Sequence, residues 1–204
     1  MSDVFIFLDT VDFQKNGLQN RNKVLTSNGP IWLTVPVQQK LGQKIIDTKI
    51  SSSSQWRDKH IKTLTMSYGK LDYFKNNHSR LFPIYMKDTN SLAELNISLT
   101  KELLSLMNIS TSTYRSSQMI SSGSSSELLF GLCKEVGATT YISGIGGHQY
   151  LDVNLFESNG IAVEFLPPKL PKPYPHTRFK SGSYTDLSVV DLLFNCGESW
   201  PDYL

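Results

Sequence analysis

A chain of 204 residues, 39% apolar and 11% aromatic, can bury one sizeable core, or one core with an appended subdomain. Its 20 basic and 18 acidic residues leave a formal charge of +2 and are dispersed rather than gathered into a basic stripe, which argues against a nucleic-acid partner. The apolar run "VFIFL" near the start is far too short to span a membrane, and no secretory leader precedes it. Cys133 and Cys196 have the spacing of neither a zinc site nor a disulfide framework, which points to a reducing, cytoplasmic compartment.

In chain order, "DVFIFLD" (3–9) is nearly continuous in apolar residues and predicts a central strand covered on both faces. "IWLTVPV" (31–37) and "KIIDTKI" (44–50) predict two more strands, joined by a hairpin-like turn at "QKLGQ". Ser51 to Ser54 are expected to cap a helix that starts near Trp56, with Trp56, His60, Thr63, Leu64 and Ser67 along one face. A second helical stretch covers "LDYFKNNHSRLFPIYMK". The leucines of 91–108, spaced by three or four, predict a third helix.

"STYRSSQMI" (112–120) is expected as a strand, and Ser124 with Glu127 forms an S-x-x-E capping box that opens a helix to about Val136. A strand "TTYIS", a glycine loop, a helix "YLDVNLFESNG" and a strand "IAVEFL" follow. "LPPKLPKPYPHT" is expected as an extended surface strap or lid, and "LSVVDLLFN" as a last helix. Alternation of strands and helices in the second half implies parallel pairing. The expected fold is α/β: a mixed, mainly parallel sheet with helices on both faces, in a single domain over 1–204 with a helical insertion at roughly 53–108.

The loop "SGIGGHQYLD" carries Gly144, Gly146 and Gly147, but Gln149 stands where a dinucleotide fingerprint needs its third glycine. A Walker lysine is absent too, so neither standard phosphate cradle is present. The loop still leads from a strand end toward a helix, where free N–H groups can hold an anion or polar substrate. The alternative is a tight turn that glycine merely permits, with Asp152 complementing the helix that follows. His148 has no visible partner in the sequence.

"DTVDFQKNGLQNRNKV" (9–24) crowds Asp9, Asp12, Gln14, Lys15, Gln19, Asn20, Arg21 and Asn22 directly after the first strand. Ligands of open α/β sheets bind beyond the carboxyl ends of strands, and a guanidinium beside carboxamides suits a carboxylate, phosphate or sugar. An ordinary polar loop reads equally well there. "WRDKHIK" sets Lys59 and His60 beside Trp56: either His60 is a proton carrier and Lys59 an anion or carbonyl ligand, or the stretch is an amphipathic surface with Lys59 solvated. Asp191 and Asn195 share a face of the last helix, lining a site or pairing locally. No HExxH, DxD-like pair or Ser-His-Asp elbow appears, so no metal is expected; both cysteines lie in apolar helical contexts, which disfavours a thiol nucleophile.

Taken in order, "DVFIFLD", "QNRNKV", "WLTVPV", "WRDKHIK", "SGIGGHQYLD" and "LSVVDLLFNCG" resemble the WbqC-like family over nearly the whole chain. The resemblance implies a role in bacterial O-antigen and related surface-polysaccharide pathways, as a glycine or aminoacyl transferase. Its substrates would be a nucleotide-linked dideoxyamino sugar and an amino acid that is either activated or carrier-bound; no cofactor is expected.

Family members usually begin with a strand reading roughly His-Gln-Pro-x-x-x-Pro-Trp-x-G-Tyr, which is missing here. A truncated or inactive form, with an open sheet edge that invites pairing into a homo-oligomer, is the corresponding expectation. With the resemblance, "QNRN" and "GIGGHQYLD", including Tyr150, become the preferred site walls. His60 is then the expected base, Lys59 its companion, Gly146 and Gly147 the oxyanion donors, and Asn20, Arg21 and Asn22 the sugar or pyrophosphate ligands. The rival expectation is a non-catalytic binding protein for the same kind of polar small molecule.

Overall fold

The computed structural model describes residues 2–52, 55–167, 172–176, 184 and 186–203. Its elements are β1 (Val4–Phe7), β2 (Arg21–Thr26), β3 (Gly29–Thr34), β4 (Val37–Gln38), β5 (Lys49–Ile50), α1 (Trp56–Tyr68), α2 (Asp72–Met86), α3 (Leu92–Leu106), β6 (Ser112–Arg115), α4 (Ser125–Glu135), β7 (Thr140–Gly144), α5 (Val153–Glu157), β8 (Ala162–Leu166) and α6 (Val189–Cys196). Short 3-10 turns cover Ser116–Gln118, Ile145–Gln149 and Gly197–Tyr203. The class is mixed α/β, as expected. Among the described residues the strands join two by two: β1 with β6 and β7 with β8 in parallel, β2 with β3 and β4 with β5 antiparallel.

The chain divides into two compact units, Met1–Val11 with Thr111–Lys169 and Asp12–Ser110 with Leu170–Leu204. The first unit holds the parallel pairs around a core of Leu129, Cys133, Phe156 and Ile161, with Leu8, Tyr141 and Val163 packed against it. The second holds the antiparallel pairs and α1, α2, α3 and α6. One of its cores gathers Val24, Leu64, Tyr68, Phe74, Leu81 and Phe194; another gathers Val35, Ile50, Trp56, Leu92 and Leu95.

Several elements are shorter than the residue pattern predicts, for local reasons. β1 is not covered on both faces: among the described residues its pairing is with β6 alone, and Phe5 stays 45% exposed. Within "KIIDTKI" only Lys49–Ile50 is strand, because Asp47 N–H and Thr48 N–H close turns onto Lys44 and Ile45. β6 stops at Arg115, since Ser116 and Ser117 turn to bond Asp9. α3 matches its prediction, with Ser91 Oγ accepting from Glu94 N–H at 3.3 Å. The capping box at α4 does not form: Ser124 makes no side-chain cap bond.

The N-cap of α1 is Gln55, without a side-chain cap; Ser53 and Ser54 lie outside the described residues. So do 168–171 and 177 of the expected strap, while Tyr174 within it is buried. α6 ends at Gly197, whose φ of +53° is in the left-handed region; a Cβ there would also overlap the Tyr73 ring, so only glycine fits.

Candidate functional site

The β2–β3 hairpin forms because "TSNG" supplies a tight turn, Gly29 taking φ +100°, between two runs in antiparallel register. Alternation along that register sets Asn22, Val24 and Leu33 on one face and Arg21, Lys23 and Trp32 on the other. The first face closes a cavity of about 350 Å³. Its further walls come from Leu64 of α1, Leu81, Phe82 and Tyr85 of α2, Asn96, Leu99 and Leu103 of α3, and Phe194 of α6, and every lining residue belongs to the second unit. The size and character suit a small-molecule site: concave, mostly apolar, with a few placed polar groups.

The carboxamides are held from within. Asn20, buried, donates from Nδ2 to Val35 O at 2.9 Å, and Asn96 Nδ2 donates to Gln19 O at 2.7 Å. Gln19 Oε1 accepts from Gln14 N–H at 2.7 Å, so Gln14 and Gln19 fasten the loop that leads into β2. Arg21 borders the cavity, but its guanidinium lies 4.4 Å over the Trp32 ring and donates to Asn16 O. Arg21 Nε is buried without a hydrogen-bond partner among the described residues. "QNRN" is therefore split: Asn20 and Asn22 serve the cavity, whereas Arg21 is laid on an aromatic face.

Lys59 and His60 part company as well, because adjacent residues on a helix do not face the same way. Lys59 is exposed. His60 is buried, edge-on to Trp56 with ring centroids 5.4 Å apart, and its Nδ1 is hydrogen-bonded to the Tyr85 hydroxyl. Burial pushes the His60 pKa down to about 4. Burial also raises Tyr85, which lines the cavity.

Asp191 is fully buried and sits at the centre of a polar cluster in the second unit. Tyr68 and Tyr174 hydroxyls donate to it at 2.5 and 2.7 Å, and His176 Nε2 lies 3.0 Å from Oδ1. Asn195 Nδ2 donates back to Asp191 O at 2.8 Å. The pair thus associates locally, and neither residue lines the cavity.

In the first unit, Asp9 follows β1 and receives Arg115 Nε and Nη2, Ser116 Oγ, Ser117 Oγ and Ser117 N–H at 2.7–3.1 Å. Although burial opposes ionisation, these donors hold its carboxyl below the usual value. Asp12 pairs with Lys44 through a β-bridge, and Lys15 is exposed.

The glycine loop is a 3-10 turn, not an open cradle. Gly147 is buried, and a Cβ there would overlap Ser143 Oγ and sit 3.1 Å from the Phe165 ring; Gly144 and Gly146 face open space. His148 stacks on Phe165 with centroids 3.6 Å apart. Tyr150 is exposed, and Asp152 caps α5, accepting from Leu155 N–H at 3.2 Å. Ser126 binds the loop's end, donating to Tyr150 O and accepting from Asp152 N–H. Gly147→Ala is expected to cost about 2 kcal/mol by overpacking, read as a lower urea midpoint, while Gly146→Ala stays within about 0.5 kcal/mol.

Cys133 and Cys196 are buried, and burial lifts both thiols to about 11. Neither is a thiolate at neutral pH. Among the described residues no group of three or more His, Cys, Asp or Glu is placed to hold a metal ion, and no helix is long and apolar enough to cross a membrane.

Sequence reasoning missed Tyr85, Tyr174, His176, Arg115 and Ser117. Single tyrosines and serines carry no spacing signal, and their roles arise only from long-range contacts, such as the 106 residues between Asp9 and Arg115.

The model of the WbqC-like protein family matches residues 1–203. "Uncharacterized protein Rv1507c" of Mycobacterium tuberculosis is 33% identical over 205 residues, spanning 99% of this chain and 87% of that protein. No solved structure matches the chain. The match takes in the hairpin that walls the cavity, the buried Asp191 cluster and the glycine loop alike: this chain belongs to the WbqC-like protein family.

Proposed function

We propose that this protein acts in surface-polysaccharide biosynthesis, transferring an aminoacyl group to the amine of a nucleotide-linked amino sugar. The observation that carries the reading is the cavity of about 350 Å³ walled by Asn20, Asn22 and Asn96 among apolar side chains, which suits a small organic substrate and not a polymer. In the reaction the amine lone pair attacks the acyl carbonyl carbon, a C–N bond forms, and the ester or thioester bond to the carrier breaks. The leaving group departs with a proton and the amine gives one up. His60 is neutral at pH 7 and bonded to Tyr85, so a proton reaches it through that hydroxyl. No cofactor is needed. The compartment is the cytoplasm, as two unpaired cysteines fit.

A second reading, binding without chemistry, is favoured by one observation: His60 is a weak base and Lys59 is not beside it. The two readings separate in one experiment. Purified protein is mixed with dTDP- and UDP-linked amino sugars and an aminoacyl donor, and followed by mass spectrometry and melting temperature. An acylated sugar nucleotide is the expected product. A raised melting temperature without product supports the binder, and neither response overturns both readings.

A further inference from the structure

The lining of the cavity bears on which aminoacyl group it takes. Apolar and aromatic side chains, among them Leu33, Leu64, Leu81, Phe82, Leu99 and Leu103, make most of its wall. At roughly 30 Å³ per water-sized group, 350 Å³ holds roughly a dozen such groups. A glycyl group has no side chain and would leave that apolar wall facing water or empty space.

The polar groups speak to the other end of the ligand. Asn20 and Asn96 each engage an amide N–H inside the protein, to Val35 O and Gln19 O. The oxygen each amide retains is an acceptor, which suits a ligand that donates N–H. Among the described residues no carboxylate lines the cavity, so an amine is recognised there by hydrogen bonding and not by charge.

We infer that the cavity is an acyl-donor pocket selective for an aminoacyl group with a bulky apolar side chain, of the leucyl or phenylalanyl class, and not for glycyl. The inference rests on the transferase reading for the word donor, but the preference itself is a property of the cavity. Asn20 and Asn96 take the α-amine, and the side chain enters between α2 and α3.

The test is calorimetric binding of glycinamide, leucinamide and phenylalaninamide at pH 9, where α-amines are largely neutral. Each buried methylene strengthens binding about fourfold, so leucinamide and phenylalaninamide are expected to bind on the order of a hundredfold tighter than glycinamide. Leu99→Trp, which fills the cavity, should remove that preference while circular dichroism stays native. The dependence on side chain in the unaltered protein decides the matter where the filled variant fails to fold. Equal affinities for the three amides overturn the inference and leave a glycyl transferase standing. A steep preference, in a protein that forms no acylated sugar nucleotide, upholds the pocket and removes the transferase reading.

Discussion

Asp191→Ala is expected to lower stability by about 4 kcal/mol. The carboxylate lies on α6 with no solvent exposure and receives Tyr68, Tyr174, His176 and the Asn195 amide, the last at 3.3 Å to Oδ1. Tyr68 in turn accepts Leu25 N–H at 2.9 Å, so one side chain links α6 to α1, β2 and the segment around Tyr174. Burial first, and then Asp191 itself, raises both tyrosine pKa values, which keeps the hydroxyls as donors at every ordinary pH. Truncation to alanine leaves two phenolic hydroxyls buried without an acceptor, each costing about 1–3 kcal/mol.

Tyr68→Phe removes one donor, leaves the charge with its other partners, and should cost only about 1–2 kcal/mol. Asp191→Asn keeps the shape but turns one acceptor into a donor facing a hydroxyl, and belongs between them. Urea denaturation of the three variants gives the order. A loss below about 1 kcal/mol for Asp191→Ala would mean that packing of Phe194, Leu193 and Leu192 alone holds α6.

This cluster shows where the sequence was legible and where it was not. The leucine spacing of 91–108 and the capping serine at its start identify α3 because both signals are local: they depend on residues three or four apart. The glycines of 144–147 identified a special turn, and Gly147 does have a close-packed reason to be glycine. What kind of turn it is depends on Ser143 and Phe165, which no motif encodes. Asp191 and Asn195 were visible as a pair on one helical face, yet the three aromatic partners of Asp191 come from 15 to 123 residues away. "QNRN" looked like one binding unit because its residues are contiguous. On a strand, contiguity sends alternate side chains to opposite faces, and so Arg21 went to Trp32 while Asn22 went to the cavity. The apolar cavity itself was illegible, since its walls look like ordinary core leucines until the hairpin and four helices are brought together.

His60 supplies the second large effect, and it appears as a pH dependence. Its pKa falls from an ordinary 6.5 to about 4 on folding because burial disfavours the imidazolium. Between those values the unfolded chain binds a proton that the folded protein refuses, so stability rises with pH through this window and is lost as pH falls from 6.5 toward 4. The expected loss is about 3 kcal/mol. Asp9 loses stability in acid too, since its donors hold its pKa down, so the unaltered protein alone cannot assign the effect. His60→Gln isolates it: the stability difference between the two proteins should be constant from pH 7 to pH 9 and move by about 3 kcal/mol in favour of the variant between pH 6.5 and pH 4.

The imidazole Hε1 resonance should titrate near pH 4 in the folded protein. A midpoint near 6.5 would mean that water reaches the ring despite Trp56 and Tyr85, and His60 would then be an accessible base at neutral pH. The same measurement therefore decides between a proton path through Tyr85 and direct contact with substrate, because only a ring shielded by its aromatic neighbours can stay neutral so far into acid.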